Sequence, residues 1–86
     1  MLFKKRGVFT VEDARKVIKA LSENPDERDV IIIAEHITEE AKRRLWDYVR
    51  GIQLIADMTG EERSVRVEIL EGFVSDKVKG LNVEEL

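Results

Sequence analysis

Near the middle of this 86-residue chain, residues 30–34 form an unbroken run of apolar side chains, most of them β-branched. An apolar run without alternating polar residues predicts a strand that is buried on both faces, as in the interior of a sheet. A chain of this length has room for one domain and a single hydrophobic layer. We therefore expect a small soluble α/β domain in which residues 30–34 form the central strand.

A strand or arm and a first helix are predicted before this central strand. Residues 2–9 have the pattern of a short first strand or of an entry arm. Thr10 and Asp13 have the spacing of a capping box, in which an N-cap hydroxyl and an acid three residues later each accept a backbone N–H. Apolar residues at helical spacing follow, and the helix is expected to stop before Pro25. These apolar residues are Ala14, Val17, Ile18 and Leu21.

A second helix is predicted after the central strand, and its end has two interpretations. Thr38, followed by two glutamates, is typical of a helix start. Gly51 has the position of a C-terminal cap, in which case residues 52–56 form a strand. Alternatively, the helical period continues to about Met58. We prefer the first interpretation, which ends the helix at Gly51.

The last third of the chain predicts further strands. Residues 65–69 alternate between apolar and polar side chains, which is typical of a half-buried strand, and residues 73–78 add a short last strand. The predicted fold is a two-layer α/β sandwich of order β-α-β-α-β-β, with two helices on one face of a small mixed sheet of four to five strands. We divide the chain into an N-terminal arm (1–8), one domain (9–78) and a loosely held C-terminal tail (79–86).

The two predicted helices leave a packing problem. They cover only one face of the sheet, whereas the central strand is apolar on both of its faces. The simplest cover for the second face is another copy of the same chain. The sequence therefore predicts a homodimer or a higher homo-oligomer.

Residues that could support catalysis or hold a cofactor are scarce. The only histidine, His36, follows the central strand, where α/β folds often place functional groups. The sequence around it does not complete a catalytic triad or a metal-ligand set. The chain has no cysteine, and its five glycines are scattered singly rather than grouped in a phosphate-binding loop. We predict a non-enzymatic protein with no cofactor and no metal.

The charge balance narrows the choice of partner. The chain has 15 basic and 18 acidic residues, a net charge of −3, which disfavours binding to nucleic acid. With 43% hydrophobic and 38% charged residues, and no apolar run long enough to span a bilayer, it belongs to neither the disordered nor the membrane-spanning class. We therefore expect the partners of this chain to be other proteins.

Four residues of the second helix form the predicted interface. Trp46 and Tyr48 cannot both face the core, because side chains two positions apart lie on different sides of a helix. We expect Trp46 to be partly exposed, close to Arg50 and to Gly51. An exposed tryptophan beside a glycine at the end of a helix indicates a protein interface.

Several short motifs together resemble one known family. Phe9 precedes an acid-acid-alanine helix start at residues 12–14, and an apolar strand follows. The second helix contains an Ala-Lys-Arg segment at 41–43 and ends in Asp-Tyr-Val-Arg-Gly at 47–51. This combination resembles SepF, the FtsZ-associated cell-division protein family, over residues 8–70.

The resemblance implies a dimerising cytoplasmic domain that binds the C-terminal tail peptide of FtsZ and tethers the division ring to the membrane during septum formation. Gly51 matches the family's glycine at the end of the second helix, which is associated with self-assembly. Leu2, Phe3, Lys4 and Lys5 stand where the family carries an amphipathic membrane anchor, but this segment is too short for a membrane-binding helix. Either the anchor is missing here, or this chain is not a tether.

A second resemblance gives an alternative function. Residues 29–40 are similar to the strand-to-helix segment of the small protein of the central stalk in rotary ATPases, although the N-terminus lacks the nucleotide-fold-like loop with which that family opens. This resemblance implies a small stalk or regulatory component of such an assembly. A small enzyme with an unrecognised site is the third alternative.

Overall fold

A computed structural model describes residues 1–60, 65–72 and 83–86 of the chain. The described residues form two helices packed against a four-stranded sheet, which confirms the predicted α/β class. The element order is β-α-β-α-β-β, but its last two strands are not the predicted ones, since residues 52–56 are helical and residues 83–85 form a strand. The strands and helices are β1 (Leu2–Phe9), α1 (Val11–Glu23), β2 (Asp29–Ile37), α2 (Glu39–Thr59), β3 (Arg66–Glu71) and β4 (Val83–Glu85).

The sheet has the strand order β3-β2-β1-β4, and each neighbouring pair in it is parallel. The prediction of a mixed sheet is therefore not confirmed. Each helix returns the chain to the end of the sheet at which the preceding strand began, so β1, β2 and β3 run in the same direction. Strand β2, which contains the apolar run of residues 30–34, lies inside the sheet between β1 and β3, as its composition predicts.

Residues 2–9 form an interior strand rather than an entry arm. Strand β1 lies between β2 and β4, and its Phe3 and Phe9 are fully buried. Its register against β2 shifts between Lys5 and Val8, and Gly7 in this shift has φ +86°, a conformation that glycine adopts without strain. The prediction that residues 1–8 form an arm outside the domain is wrong, because this segment belongs to the sheet.

Both helices pack on one face of the sheet and share one core with it. The α1 N-terminus has the predicted capping box: the Thr10 N–H donates to Asp13 Oδ2 at 2.9 Å. Paired residues Phe3, Ile32 and Ile69 form one row of this face across three strands. The buried core consists of Phe3, Phe9, Ala14, Val17, Leu21, Val30, Ile32, Ala34, Ile37, Ala41 and Leu45.

Helix α2 continues well past Gly51, so the preferred interpretation of its end is wrong. The helix has 21 residues, and its C-cap is Gly60, which has the left-handed φ of +73°. Thr38 caps the other end as predicted, accepting the Ala41 N–H at 3.1 Å. Residues 52–56 are helical because their apolar side chains continue the helical period: Ala56 is buried, eleven positions after the buried Leu45.

The end of the chain is part of the sheet. Residues 83–85 form β4 beside β1, and the Leu86 N–H donates to the Lys4 carbonyl at 2.9 Å. The prediction of a loose tail over 79–86 is therefore wrong for residues 83–86. The predicted strand at 73–78 and residues 79–82 lie outside the described residues.

Candidate interaction surface on the second helix

The outer side of α2 carries a row of exposed apolar residues. Gly51, Leu54, Ile55 and Met58 follow one another at the i, i+3, i+4, i+7 spacing that places side chains on one side of a helix. Leu54 and Ile55 are each 62% exposed, and Met58 is 80% exposed. We call these four residues the outer stripe. Contiguous exposed apolar patches mark interaction sites, so this row is a candidate interaction surface.

The opposite side of α2 is already occupied by the fold. Ala41, Leu45 and Ala56 are buried, and Tyr48 packs against the core from the border of this side. The second half of α2 is therefore apolar on two sides, and among the described residues the sheet and α1 contact only one of them. A helix that packs only against its own domain usually has polar residues on its solvent-facing side.

Gly51 lies inside the helix and not at its end. A Cβ atom added at Gly51 would have no other atom within 4 Å, so the outer stripe has an open notch at this position. A glycine inside a helix destabilises it by about 1 kcal/mol relative to alanine. Neither a positive φ nor a crowded neighbour requires glycine here. What the residue provides is a place where another backbone or side chain can approach closely.

The other predicted interface residues border the outer stripe. Trp46 is 43% exposed, and it lies one turn before Arg50, which in turn lies one turn before Leu54. Tyr48 is half-buried on the other border. Trp46 and Tyr48 thus lie on different sides of α2, as their spacing predicts. Sequence reasoning missed Leu54, Ile55 and Met58, although their spacing from Gly51 is itself the helical signal.

Among the described residues, the face of the sheet away from the helices has less exposed apolar side chains. Its central row pairs Lys4, Ile33 and Leu70 across three strands. Ile33 is only 2% exposed, and Leu70 is 38% exposed. Leu54, Ile55 and Met58 of the outer stripe are therefore more exposed than the apolar residues of this row.

Leu2, Phe3, Lys4 and Lys5 belong to strand β1 of this sheet rather than to a separate arm. Phe3 and Lys4 are buried, and Lys5 Nζ lies 3.4 Å from Asp13 Oδ1 at the start of α1. In the part of the chain that the structure describes, no helix is long and apolar enough to cross a bilayer.

His36 belongs to a polar cluster at the carboxyl ends of β2 and β3. Its Nδ1 lies 3.4 Å from Glu71 Oε2, and Lys42 Nζ lies 3.9 Å from the same oxygen. Glu71 Oε2 also accepts the Ile37 N–H at 2.8 Å. This backbone hydrogen bond lowers the pKa of Glu71 below its usual value, with smaller contributions from Lys42 and His36. The cluster ties β3 to the end of β2, which is a structural role.

Carboxylates line a cavity at the opposite end of the strands, where β1, β2 and β4 begin. The cavity measures about 720 Å³ and is lined in part by Glu27, Asp29 and Glu84. The α-amino group of Met1 lies 2.6 Å from Glu27 Oε1 and donates to the Asp29 carbonyl at 2.7 Å. Among the described residues, no group of three or more acidic or histidine side chains is arranged to hold a metal ion.

Comparisons with known proteins add no relative. No protein-family model, no curated protein and no solved structure matches this chain. The fold and the site define it as a small parallel α/β domain with an exposed apolar helix surface.

Proposed function

We propose that this protein is a non-enzymatic, self-associating and protein-binding domain of the SepF type. The observation that carries the proposal is the outer stripe of α2. Leu54, Ile55 and Met58 are all more than half exposed. Removing one such side chain from water contributes roughly 1.5–3 kcal/mol, so a partner that covers all three gains a substantial free energy.

A second copy is the partner that the proposal places on the outer stripe. The packing argument from the sequence assigned self-association to the face of the sheet away from the helices. The buried Ile33 on that face and the exposed Met58 on α2 favour the outer stripe instead. The interface is therefore proposed on the same helix as Gly51, Trp46, Tyr48 and Arg50.

The surface of α2 on the N-terminal side of the outer stripe suits a peptide partner. Trp46 lies between Arg43 and Arg50 at helical spacing, and both arginines are exposed. Within the described residues, neither arginine forms an ion pair with a carboxylate. An exposed tryptophan between two arginines fits a peptide that has both apolar and acidic side chains. The SepF resemblance supplies the candidate, which is the FtsZ tail peptide, bound in the cytoplasm at the division site.

Sedimentation velocity at micromolar concentration tests self-association. We expect the wild-type chain to sediment as a dimer or larger assembly and the Leu54→Lys variant to sediment as a monomer. Gln53→Lys is the matched control, since Gln53 neighbours Leu54 off the stripe and a lysine there can still pair with Asp57, to which Gln53 now donates at 2.9 Å. A wild-type chain that stays monomeric over the whole concentration range contradicts the proposal.

Tryptophan fluorescence tests the peptide partner separately. Trp46 is the only tryptophan of the chain, so its emission reports on this one surface. We expect a saturable change in emission on titration with an FtsZ tail peptide, and none with a scrambled peptide of equal composition. Equal responses to both peptides, or no response to either, would remove FtsZ as the partner and leave self-association standing.

A further inference from the structure

The outer stripe has a spacing that is the same in both directions along α2. Gly51 and Met58 are equally far from the midpoint between Leu54 and Ile55. A two-fold axis through this midpoint therefore places the stripe of one copy, running antiparallel, directly on the stripe of another. Such self-complementarity is what a symmetric dimer interface requires.

The two ends of the outer stripe are also complementary in size. Gly51 leaves an open notch, whereas Met58 at the other end is a long, flexible side chain that is 80% exposed. Under the two-fold axis, each Met58 lies over the Gly51 of the other copy, and Leu54 lies against Ile55. Methionine adapts readily to irregular gaps, and a side chain inserted into a gap of a facing helix is the standard packing of paired helices.

The charges along α2 favour the antiparallel direction over the parallel one. The last turn of α2 contains no basic residue, although the carbonyl end of a helix is negative and is stabilised by a cation. Arg50 is next to Gly51, just as Thr59 is next to Met58. An antiparallel pair therefore brings the Arg50 of each copy to the carbonyl end of the other. A parallel pair would place Arg50 against Arg50.

We propose that two copies of this chain pair through antiparallel α2 helices, with Met58 of each copy seated in the Gly51 notch of the other. This inference rests on the proposed self-association and specifies its geometry. The outer stripe contains both the notch and the side chain that fills it, so an identical copy satisfies both ends of the interface at once.

Cysteine cross-linking tests the pairing, because the natural chain has no cysteine. Gly51→Cys and Met58→Cys are prepared as two single variants, then mixed and oxidised. On one helix the two positions are about 10 Å apart, beyond the roughly 7 Å that a disulfide spans between Cα atoms, and each variant has only one thiol. We expect a covalent dimer in the mixture and little from either variant alone. Gln53→Cys is the control for random collision, and circular dichroism verifies that each variant is folded.

The outcomes separate this inference from the proposed function. A covalent dimer formed by Gly51→Cys alone indicates parallel helices and overturns the inference. A wild-type dimer in sedimentation that gives no cross-link in the mixture places the interface elsewhere; the inference then fails while self-association stands. A monomeric wild-type chain overturns both.

Discussion

The two helices of this domain pack on the same sheet but differ in what they leave exposed. Helix α1 has 13 residues, and none of its large apolar side chains is exposed. Helix α2 has 21 residues, and Trp46, Leu54, Ile55 and Met58 are all exposed on it. Helix α1 thus serves the core alone, whereas α2 serves the core and presents a second apolar surface.

One helix can therefore have two separable roles on two of its sides. In α2 the inner side holds Leu45 and Ala56 in the fold, while the outer side contributes little to it. Substitutions on the two sides should therefore have opposite signatures: loss of folding from the inner side, and loss of assembly from the outer side.

The largest effect is expected from the inner side of α2. Leu45 is fully buried in the core, so Leu45→Ala should lower the free energy of unfolding by about 2–5 kcal/mol through lost burial and a residual cavity. Chemical denaturation measures this change. Leu54→Ala is the matched control and should change the free energy of unfolding of the monomer by less than about 0.5 kcal/mol. Equal losses from both variants would end the distinction between the two sides.

Gly51→Ala should move folding and assembly in opposite directions. Alanine favours the helix by about 1 kcal/mol over glycine, and the new Cβ meets no atom of its own chain. Dilute samples should therefore melt at a higher temperature, while the dimer dissociates more readily because the notch is filled. Calorimetry and sedimentation of the same variant measure the two effects. A higher melting temperature with unchanged assembly would reduce Gly51 to a residue without a role in the interface.

The helix caps should affect folding alone, equally in both helices. Thr10→Ala and Thr38→Ala each remove an N-cap and should each cost about 1 kcal/mol of stability. Neither residue touches the outer stripe, so the sedimentation coefficient at a fixed, native condition should stay that of the wild type. An assembly defect in either variant would contradict the assignment of the interface to the outer side of α2.

Glu71 should make the stability of the fold depend on acid pH. Its pKa in the folded chain is lowered below the usual value of 4.5, chiefly by the Ile37 backbone hydrogen bond. Its stabilising contribution is therefore present above about pH 4.5 and is lost as the pH falls through the lowered pKa. Urea denaturation at several pH values should show a shallower acid dependence for Glu71→Gln than for the wild type. Identical slopes would exclude this contribution.

The smallest effect is expected from His36. His36→Ala should leave the fold, self-association and peptide binding nearly unchanged, because the side chain is exposed and its approach to Glu71 is a long one, at 3.4 Å. A hydrolase or transferase activity that disappears in this variant would overturn the non-enzymatic proposal.

Features with a local cause could be predicted from the sequence. The caps at Thr10 and Thr38, the interior strand at residues 30–34 and the half-buried strand near residues 65–69 all depend on neighbouring residues, and the structure confirms them. Strand β4 could not be predicted. It contains one apolar and two acidic residues, and it forms through backbone pairing with β1 from the other end of the chain.

The end of α2 shows why the candidate site was only partly predictable. A glycine after a helical pattern is equally compatible with a cap and with an interior position, and ending the helix at Gly51 turns residues 52–56 into a strand. That choice hides the relation of Leu54, Ile55 and Met58 to Gly51. The i, i+3, i+4, i+7 spacing of the four residues is present in the sequence, but it has meaning only if the helix continues.

The position of β1 between two strands has a consequence for the newly made chain. Strand β2 follows β1 closely along the chain, whereas β4 consists of residues 83–85, which the ribosome adds much later. Until then β1 has one open edge, and such an edge can pair with a strand of another nascent chain. Lys4, Lys5 and Arg6 on β1 oppose this pairing, since charged side chains, lysine above all, protect open strand edges. Strand β4 pairs only with Leu2, Phe3 and Lys4, so among the described residues Lys5 and Arg6 lie beside a part of this edge that β4 does not cover in the folded domain. Charge at these positions is therefore useful both during synthesis and in the folded domain.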